Sequence, residues 1–209
     1  DPANGMPTAP EARTQEQLEK GKWEPRVLGS TRAAAPAPCD EEKPVEPTSI
    51  YAINKRDQEE MTLVTGKAYG IPAVALRYFN VYGPRQALSN PYPGVAATLS
   101  SRYLNGKPRI IFEDGGQSRD FVHVRDIARA TALALERDGA DGRAVNIGTG
   151  RRTSILQIAA MLLKHLAPER ASDPALQPEI AGKFRSGDIR HCYADISRAY
   201  LRWGDLEKG

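Results

Sequence analysis

Residues 73–79, Ala-Val-Ala-Leu-Arg-Tyr-Phe, form a short and nearly continuous apolar run between Pro72 and Asn80. A run of this length without polar alternation suits a strand buried on both faces, and such strands belong to parallel sheets covered by helices. The stretch before it, 50–69, is polar, opens after Thr48-Ser49 and closes at Gly70. That pattern predicts a helix with a C-terminal glycine, and Pro72 blocks its continuation. A helix feeding a doubly buried strand makes the chain an α/β protein.

The remaining pattern repeats the alternation. Residues 95–104 have helical spacing and stop at Asn105-Gly106, 109–112 read as a strand before the turn Glu113-Asp114-Gly115-Gly116, and 121–124 read as another strand. Asp126 is placed to cap a helix running to about residue 137, followed by a strand at 144–147. Ser154 and Gln157 make a capping-box pattern ahead of the stripe Ile155, Ile158, Ala159, Leu162, Leu163 and Leu166. Residues 168–178 read as a loop and 191–194 as the last strand. By contrast, half of the 16 prolines fall in the first 48 residues, without a lasting period, so 1–47 read as an irregular segment.

Composition narrows the function classes. With 29 Lys and Arg against 26 Asp and Glu, the net charge is +3, and the basic residues are scattered, so no electrostatic footprint for nucleic acid is present. No apolar run approaches the roughly eighteen residues that would cross a bilayer, and no secretory pattern opens the chain, so a cytoplasmic protein is expected. Cys39 and Cys192 stand far apart without a C-x-x-C partner, which argues against a cysteine zinc site or a disulfide framework; no metal site is expected, and Cys192 reads as a small strand residue. A small-molecule partner fits best.

Several residues carry chemistry. Tyr51 and Lys55 lie four apart on the first predicted helix and so share a face, although the same spacing also describes an ordinary surface tyrosine beside a lysine. Bringing a phenol from its reference pKa near 10 to about 7 needs roughly 4 kcal/mol. An ammonium about 5 Å away at an effective dielectric of about 20 supplies roughly 3 kcal/mol of that. Asn80 lies just past the C-terminal end of the predicted parallel strand, where ligands of open α/β sheets bind, or else is a turn residue ahead of Gly83-Pro84. Arg119 and Arg185 can present planar forks to phosphate oxygens or can be ordinary surface arginines.

Taken together, Tyr51-x-x-x-Lys55, the segment Arg77-Tyr78-Phe79-Asn80-Val81-Tyr82-Gly83-Pro84-Arg85-Gln86, the segment Ser118-Arg119-Asp120-Phe121-Val122-His123-Val124, with Asp126 beyond it, and Arg185-Ser186-Gly187-Asp188 resemble the extended short-chain dehydrogenase/reductases. More narrowly, residues 48–203 are similar to the NAD-dependent nucleotide-sugar epimerases and dehydratases. The resemblance implies a Rossmann-like parallel sheet with a smaller α/β substrate-binding domain, NAD as cofactor, and a dTDP- or UDP-linked sugar as substrate. It implies that Tyr51 takes the hydroxyl proton as hydride leaves the same sugar carbon, and that Lys55 tunes the phenol and holds the nicotinamide ribose. It assigns Asn80, Arg119 and Arg185 to the diphosphate, Asp188 to a ribose hydroxyl and Phe112 to the base. His123 is read as structural. A homodimer packed through the tyrosine helix is a further expectation of the family.

The same resemblance exposes departures. The family opens with a glycine-rich pyrophosphate loop, and no G-x-x-G-x-x-G occurs here. A Ser or Thr ahead of the tyrosine is also usual, and the nearby candidates Ser30 and Thr31 lie in the Pro-rich segment. The chain is therefore expected to be a fragment: 1–47 an insertion, 48–82 the remainder of a cofactor domain carrying Y-x-x-x-K, and 83–209 a substrate-binding region whose 143–166 part can pack back on the cofactor domain. Residues 90–95 and the long insertion are most similar to dTDP-L-rhamnose 4-epimerases, with UDP-hexose epimerases close. Epimerisation at C4 through a 4-keto intermediate is the expected activity; a 4,6-dehydratase and a non-catalytic nucleotide-sugar binding module are the alternatives.

Overall fold

The computed structural model describes residues 1–87, 94–108, 110–185 and 187–204. It divides into two compact units, each assembled from three separate stretches: 38–84, 120–151 and 193–204 in one, and 1–37, the described part of 85–119, and 152–192 in the other. No described helix is long and apolar enough to cross a membrane. The described His, Cys, Asp and Glu side chains form no cluster of three or more suited to a metal.

In the first unit, α2 (Ile50–Tyr69) follows the short α1 (Gln15–Glu19) of the other unit. Ser49 starts α2 by accepting the Ala52 N–H, and Gly70 ends it in the left-handed conformation at φ 63°, which costs a residue without a Cβ little. The chain turns at once into β1 (Val74–Tyr78). Gly66 allows that close return, since a Cβ there would stand 2.5 Å from the Ala73 Cβ. Strand β1 pairs in parallel with β6 (Arg143–Ile147) in the register Val74 to Arg143 through Tyr78 to Ile147. Between them run β2 (Asn80–Tyr82), β5 (Phe121–His123) and α4 (Val124–Glu136). Strands β2 and β5 are also parallel, Asn80 facing Phe121. Val122, Ile127, Ala130, Val145 and Ile147 form the core with Ala199 and Trp203 of α6 (Ser197–Trp203).

The second unit rests on α3 (Val95–Leu104) against α5 (Ile155–Leu166). Leu99, Tyr103, Ala159 and Leu163 meet Ile111, Ala167 and Leu176 in one core. Ser154 and Gln157 form the expected reciprocal capping box of α5. Strands β3 (Ile110–Ile111) and β8 (Glu179–Ile180) are parallel. A three-stranded sheet sets β4 (Ser118–Arg119) between antiparallel β7 (Thr153–Ser154) and parallel β9 (His191–Cys192).

Local expectations are corrected in four places. Asp126 is not the cap of α4: the helix starts one turn earlier, at Val124, so His123 is the N-cap and its Nδ1 accepts the Arg125 N–H at 3.3 Å, leaving Asp126 in the first turn. A carboxylate there still favours the positive helix end. Asn80 lies just past the C-terminal end of β1 as expected, but the alternative of a turn residue is wrong: it opens β2, because the chain changes partner at that point, Phe79 N–H donating to Ile147 O and Asn80 N–H to Asp120 O. Residues 1–47 are not wholly irregular, since Thr14 caps α1 and Val27 and Leu18 are buried; a single helical turn is too short to show a period. Residues 168–178 hold two 3₁₀ turns, at Pro168–Arg170 and Pro174–Leu176. Part of the 90–95 segment, Arg109 of the expected 109–112 strand, Ser186 and the last five residues lie outside the described residues.

Asp120 holds the first unit's loops together. It is fully buried, and its carboxylate accepts the Thr149 N–H (2.8 Å), the Thr149 hydroxyl (2.7 Å), the Gly150 N–H (2.9 Å) and the Ala194 N–H (3.2 Å). Removing the acceptor leaves the buried Ala194 N–H and the half-buried donors of Thr149 and Gly150 without their partner, and a buried donor left unpaired costs about 1–3 kcal/mol. Asp120→Ala is therefore expected to lower the unfolding free energy by on the order of 3 kcal/mol, read by denaturant titration of the full-length protein. A loss below about 1 kcal/mol would show that the loop carries itself.

Candidate functional site

The expected site residues fall into two groups, one in each unit. In the first unit, Tyr51 and Lys55 project from the same face of α2, with the Lys55 ammonium 5.8 Å from the Tyr51 ring centroid. That places a cation over the ring face, an attractive arrangement. Lys55 Nζ also donates to Gln58 Oε1 at 3.1 Å, and Tyr51 is 72% exposed. A phenol and an ammonium thus stand side by side, open to a ligand. Asn80, half-buried, opens β2 at the point where the chain leaves β6 for β5. On β1, Arg77 forks onto both oxygens of Glu59 at 2.7 Å and ties the strand to α2.

The second unit gathers Phe112, Arg119, Arg185 and Asp188. Arg119 on β4 donates from Nη1 to the carbonyls of Ser118 (2.9 Å) and Arg190 (3.1 Å) and from Nη2 to Asp188 Oδ1 (3.1 Å). Of the five guanidinium hydrogens, the one on Nε and one on Nη2 remain beyond these contacts. The fork is therefore oriented and still able to donate. Arg185 stacks its guanidinium 4.9 Å above the Phe112 ring. Stacking holds the plane and leaves the N–H edge outward. The loop that begins at Arg185 closes on itself through Asp188 N–H to Arg185 O at 3.2 Å.

Sequence reasoning missed what fixes this arrangement. Glu113, next to Phe112, is 1% exposed and sits at φ 52°, a left-handed conformation that costs a residue with a Cβ on the order of 1 kcal/mol. Its carboxylate is gripped from two sides, by Arg13 Nη1 at 2.8 Å and by the buried Arg190 at 2.9 Å. Arg190 also donates to Asp114 and to Glu24. Burial opposes its charge, yet the Asp114 and Glu24 carboxylates hold its pKa above the ordinary arginine value. Arg13 and Glu24 come from the Pro-rich stretch, where no period marks any residue. Asp120 stood within a quoted motif without a role.

On the opposite face of β4, the Ser118 hydroxyl lies 2.7 Å from His191 Nδ1, and His191 Nε2 lies 2.8 Å from Glu24 Oε2. With Glu24 ionised, Nε2–H donates to it, and in a neutral ring Nδ1 would then accept from the Ser118 hydroxyl. These residues border a cavity of about 590 Å³ lined also by Gly116, Arg152 and Gln157; Phe112, Arg119, Arg185 and Asp188 do not line it. The reason is the pleat: Ser118 pairs with His191 and Arg119 with Cys192, so successive side chains face opposite ways.

The hydrogen bond from His191, opposed by burial and aided by Arg190, pulls the Glu24 carboxyl from 4.5 to about 2. A carboxyl with a depressed folded pKa stabilises the fold fully above its ordinary value, and the contribution is lost as pH falls toward the folded one. Acid unfolding of the full-length protein is expected to steepen between pH 4.5 and about 2, and Glu24→Gln to flatten the slope in that window. An unchanged slope in the variant would take Glu24 out of the acid response.

Comparison with known proteins identifies relatives of the chain. Over 213 aligned residues the chain is 35% identical to dTDP-L-rhamnose 4-epimerase of Burkholderia thailandensis, covering 99% of this chain and 55% of that protein. The crystal structure of UDP-glucose 4-epimerase with UDP-glucose from Thermotoga maritima aligns with a TM-score of 0.70 at 33% identity, covering 82% of this chain and 52% of that one. UDP-glucuronic acid 4-epimerase from Bacillus cereus, in complex with UDP-glucuronic acid and NAD, aligns at 0.68 and 33% identity, covering 84% and 52%. The chain spans about half the length of these relatives. A Rossmann-like α/β fold with parallel strands is common to the set. The profile of the NAD dependent epimerase/dehydratase family matches residues 26–148, more than half of the chain, and the chain belongs to that family.

Proposed function

We propose that this chain carries the proton-transfer pair and the nucleotide-diphosphate site of an NAD-dependent 4-epimerase acting on a dTDP- or UDP-linked sugar. The observation that carries the reading is the cluster of Phe112, Arg119, Arg185 and Asp188, joined pairwise by an ion pair and a cation–π contact. These residues come from three separated stretches of sequence, and their meeting is what a diphosphate site requires. The unit holding α2 and β1 takes the cofactor-facing role, and the other unit takes the nucleotide.

The residues present fit the ribose end of NAD. Lys55 and Tyr51 are exposed on one face of α2, and Lys55 spends one hydrogen bond on Gln58, so its remaining donors can reach vicinal hydroxyls. When bound, NAD supplies hydride acceptance at the sugar carbon and its return to the opposite face. Tyr51 removes the proton from the C4 hydroxyl and gives it back, with Lys55 stabilising the phenolate electrostatically. Arg119 and Arg185 hold the diphosphate while the sugar turns, Asn80 donates to it, Asp188 accepts from a ribose hydroxyl and Phe112 packs on the base. Exposed Ile50, Met61, Val64 and Tyr69 on α2 support a homodimer through that helix.

In the full-length protein, Tyr51→Phe is expected to lower turnover by on the order of 100-fold or more, measured as interconversion of C4 epimers of UDP- and dTDP-hexoses at saturating substrate. Lys55→Met should lose bound NAD as well as rate, and unchanged cofactor content would refute the ribose role. Release of a 4-keto-6-deoxy sugar instead of an epimer would favour a dehydratase.

Arg119→Ala and Arg185→Ala are each expected to weaken binding of free UDP or dTDP by roughly 10- to 100-fold, the loss of one charge-assisted hydrogen bond. Calorimetry in which both bind like the parent would move the diphosphate site elsewhere.

A further inference from the structure

We infer that Arg13 is a positioning residue for the nucleotide-diphosphate site: from the Pro-rich segment it clamps the loop bearing Arg185 and Asp188 against the turn after Phe112, and so sets nucleotide affinity without touching the ligand. The inference rests on the site reading above.

The loop is held at both ends by one residue and its partner. At the first end, Glu113 N–H donates to Lys183 O at 2.7 Å. At the other end, the Arg13 guanidinium spans the gap, donating from Nη1 to Glu113 Oε1 at 2.8 Å and from Nη2 to Asp188 O at 2.6 Å. Nη1 also donates to Trp23 O at 3.1 Å, which fixes the arginine to its own segment. Both charged partners are buried, Arg13 with 7% and Glu113 with 1% of the side chain exposed. Along the loop, Trp23 and Phe184 rings approach to 6.5 Å between centroids, so the segment contacts the residue preceding Arg185 as well.

The functional side chains alternate with the clamped groups. Phe112 precedes Glu113, Arg185 follows Phe184, and Asp188 offers its carbonyl to Arg13 while its carboxylate binds Arg119. Arg13 thus fixes the backbone from which Asp188 reaches Arg119. Holding a loop in its binding conformation removes ordering cost from association, so loosening it weakens affinity with little effect on the chemical step. A lysine at position 13 keeps the charge but lacks the planar fork, and cannot serve Glu113, Trp23 O and Asp188 O in the same geometry.

The test uses the full-length protein carrying R13M, R13K, R32A or R119A, with UDP and dTDP as calorimetric probes well below the unfolding midpoint, and KM and kcat for epimerisation. R13M is expected to raise the nucleotide dissociation constant and KM by about 10-fold with kcat within about 2-fold of the parent. R13K should recover part of that loss, ending about 3-fold weak. R32A, which removes an exposed ion pair to Asp1 in the same segment, should bind like the parent. Parental affinity in R13M, a lowered unfolding midpoint without weaker binding, or equal weakening in R32A would overturn the positioning role. If R13M does not fold, R13K decides, and parental affinity there overturns it. R119A separates the two readings: weakened R119A with parental R13M removes the positioning role alone, whereas parental R119A removes the site and the positioning role with it.

Discussion

A carboxylate taken out of water must find donors for both oxygens, and each unit of this chain is organised around one that does. In the unit with α2 and β1 it is Asp120, whose four contacts join the start of β5, the loop after β6 and the backbone at Ala194. In the other it is Glu113, shared between Arg13 and Arg190. A buried ion pair is weak evidence of stability in itself, because desolvation offsets much of the attraction. What these contacts supply is geometry, since removing one partner leaves a buried polar group short of a hydrogen bond. That constraint keeps loops from distant stretches in register.

The arrangement explains how the exposed loop proposed to hold a nucleotide can be precise. Arg185 and Asp188 are solvent-exposed, and a loop of their length would ordinarily sample many conformations. Three constraints limit it: the stacking of Arg185 on Phe112, the ion pair of Asp188 with Arg119, and the clamp from Arg13. Glu113 carries backbone strain at φ 52° beside Phe112, and strain of this kind persists only where surrounding contacts over-determine it. Here the surrounding contacts are the two guanidiniums.

Legibility in the sequence followed the range of the interaction. Helices α2, α3 and α5 could be read because their caps and stops are local: Ser49 and Gly70, Asn105-Gly106, Ser154 with Gln157. Strands β1 and β6 could be read because each carries a short apolar run; β6 is buried from Ala144 to Ile147, whereas β1 buries only Ala75 and is half-buried or exposed elsewhere, so the expected burial on both faces holds for β6 and not for β1. Of the two-residue strands, β3 and β9 were legible within the expected strands at 109–112 and 191–194, whereas β4, β7 and β8 have no pattern long enough to separate from loop and went unseen. Asp126 was taken for the cap of α4 because the helix start was placed too late; an imidazole serving as cap is an uncommon choice, and His123 does so only because β5 runs directly into the helix.

Sequence alone determined the α/β alternation, the Tyr51–Lys55 spacing and the presence of arginines able to fork onto phosphate oxygens, because each depends on residue type and on neighbours within a few positions. Tertiary structure decided which of them meet. The stacking of Arg185 on Phe112 and the pairing of Arg119 with Asp188 join residues about seventy apart, and the grip of Arg13 on Glu113 and Asp188 spans still more of the chain. Such contacts depend on how strands β4 and β9 come to lie side by side. No local pattern encodes that, because the partners are chosen by which buried charges can satisfy one another once the sheet has formed.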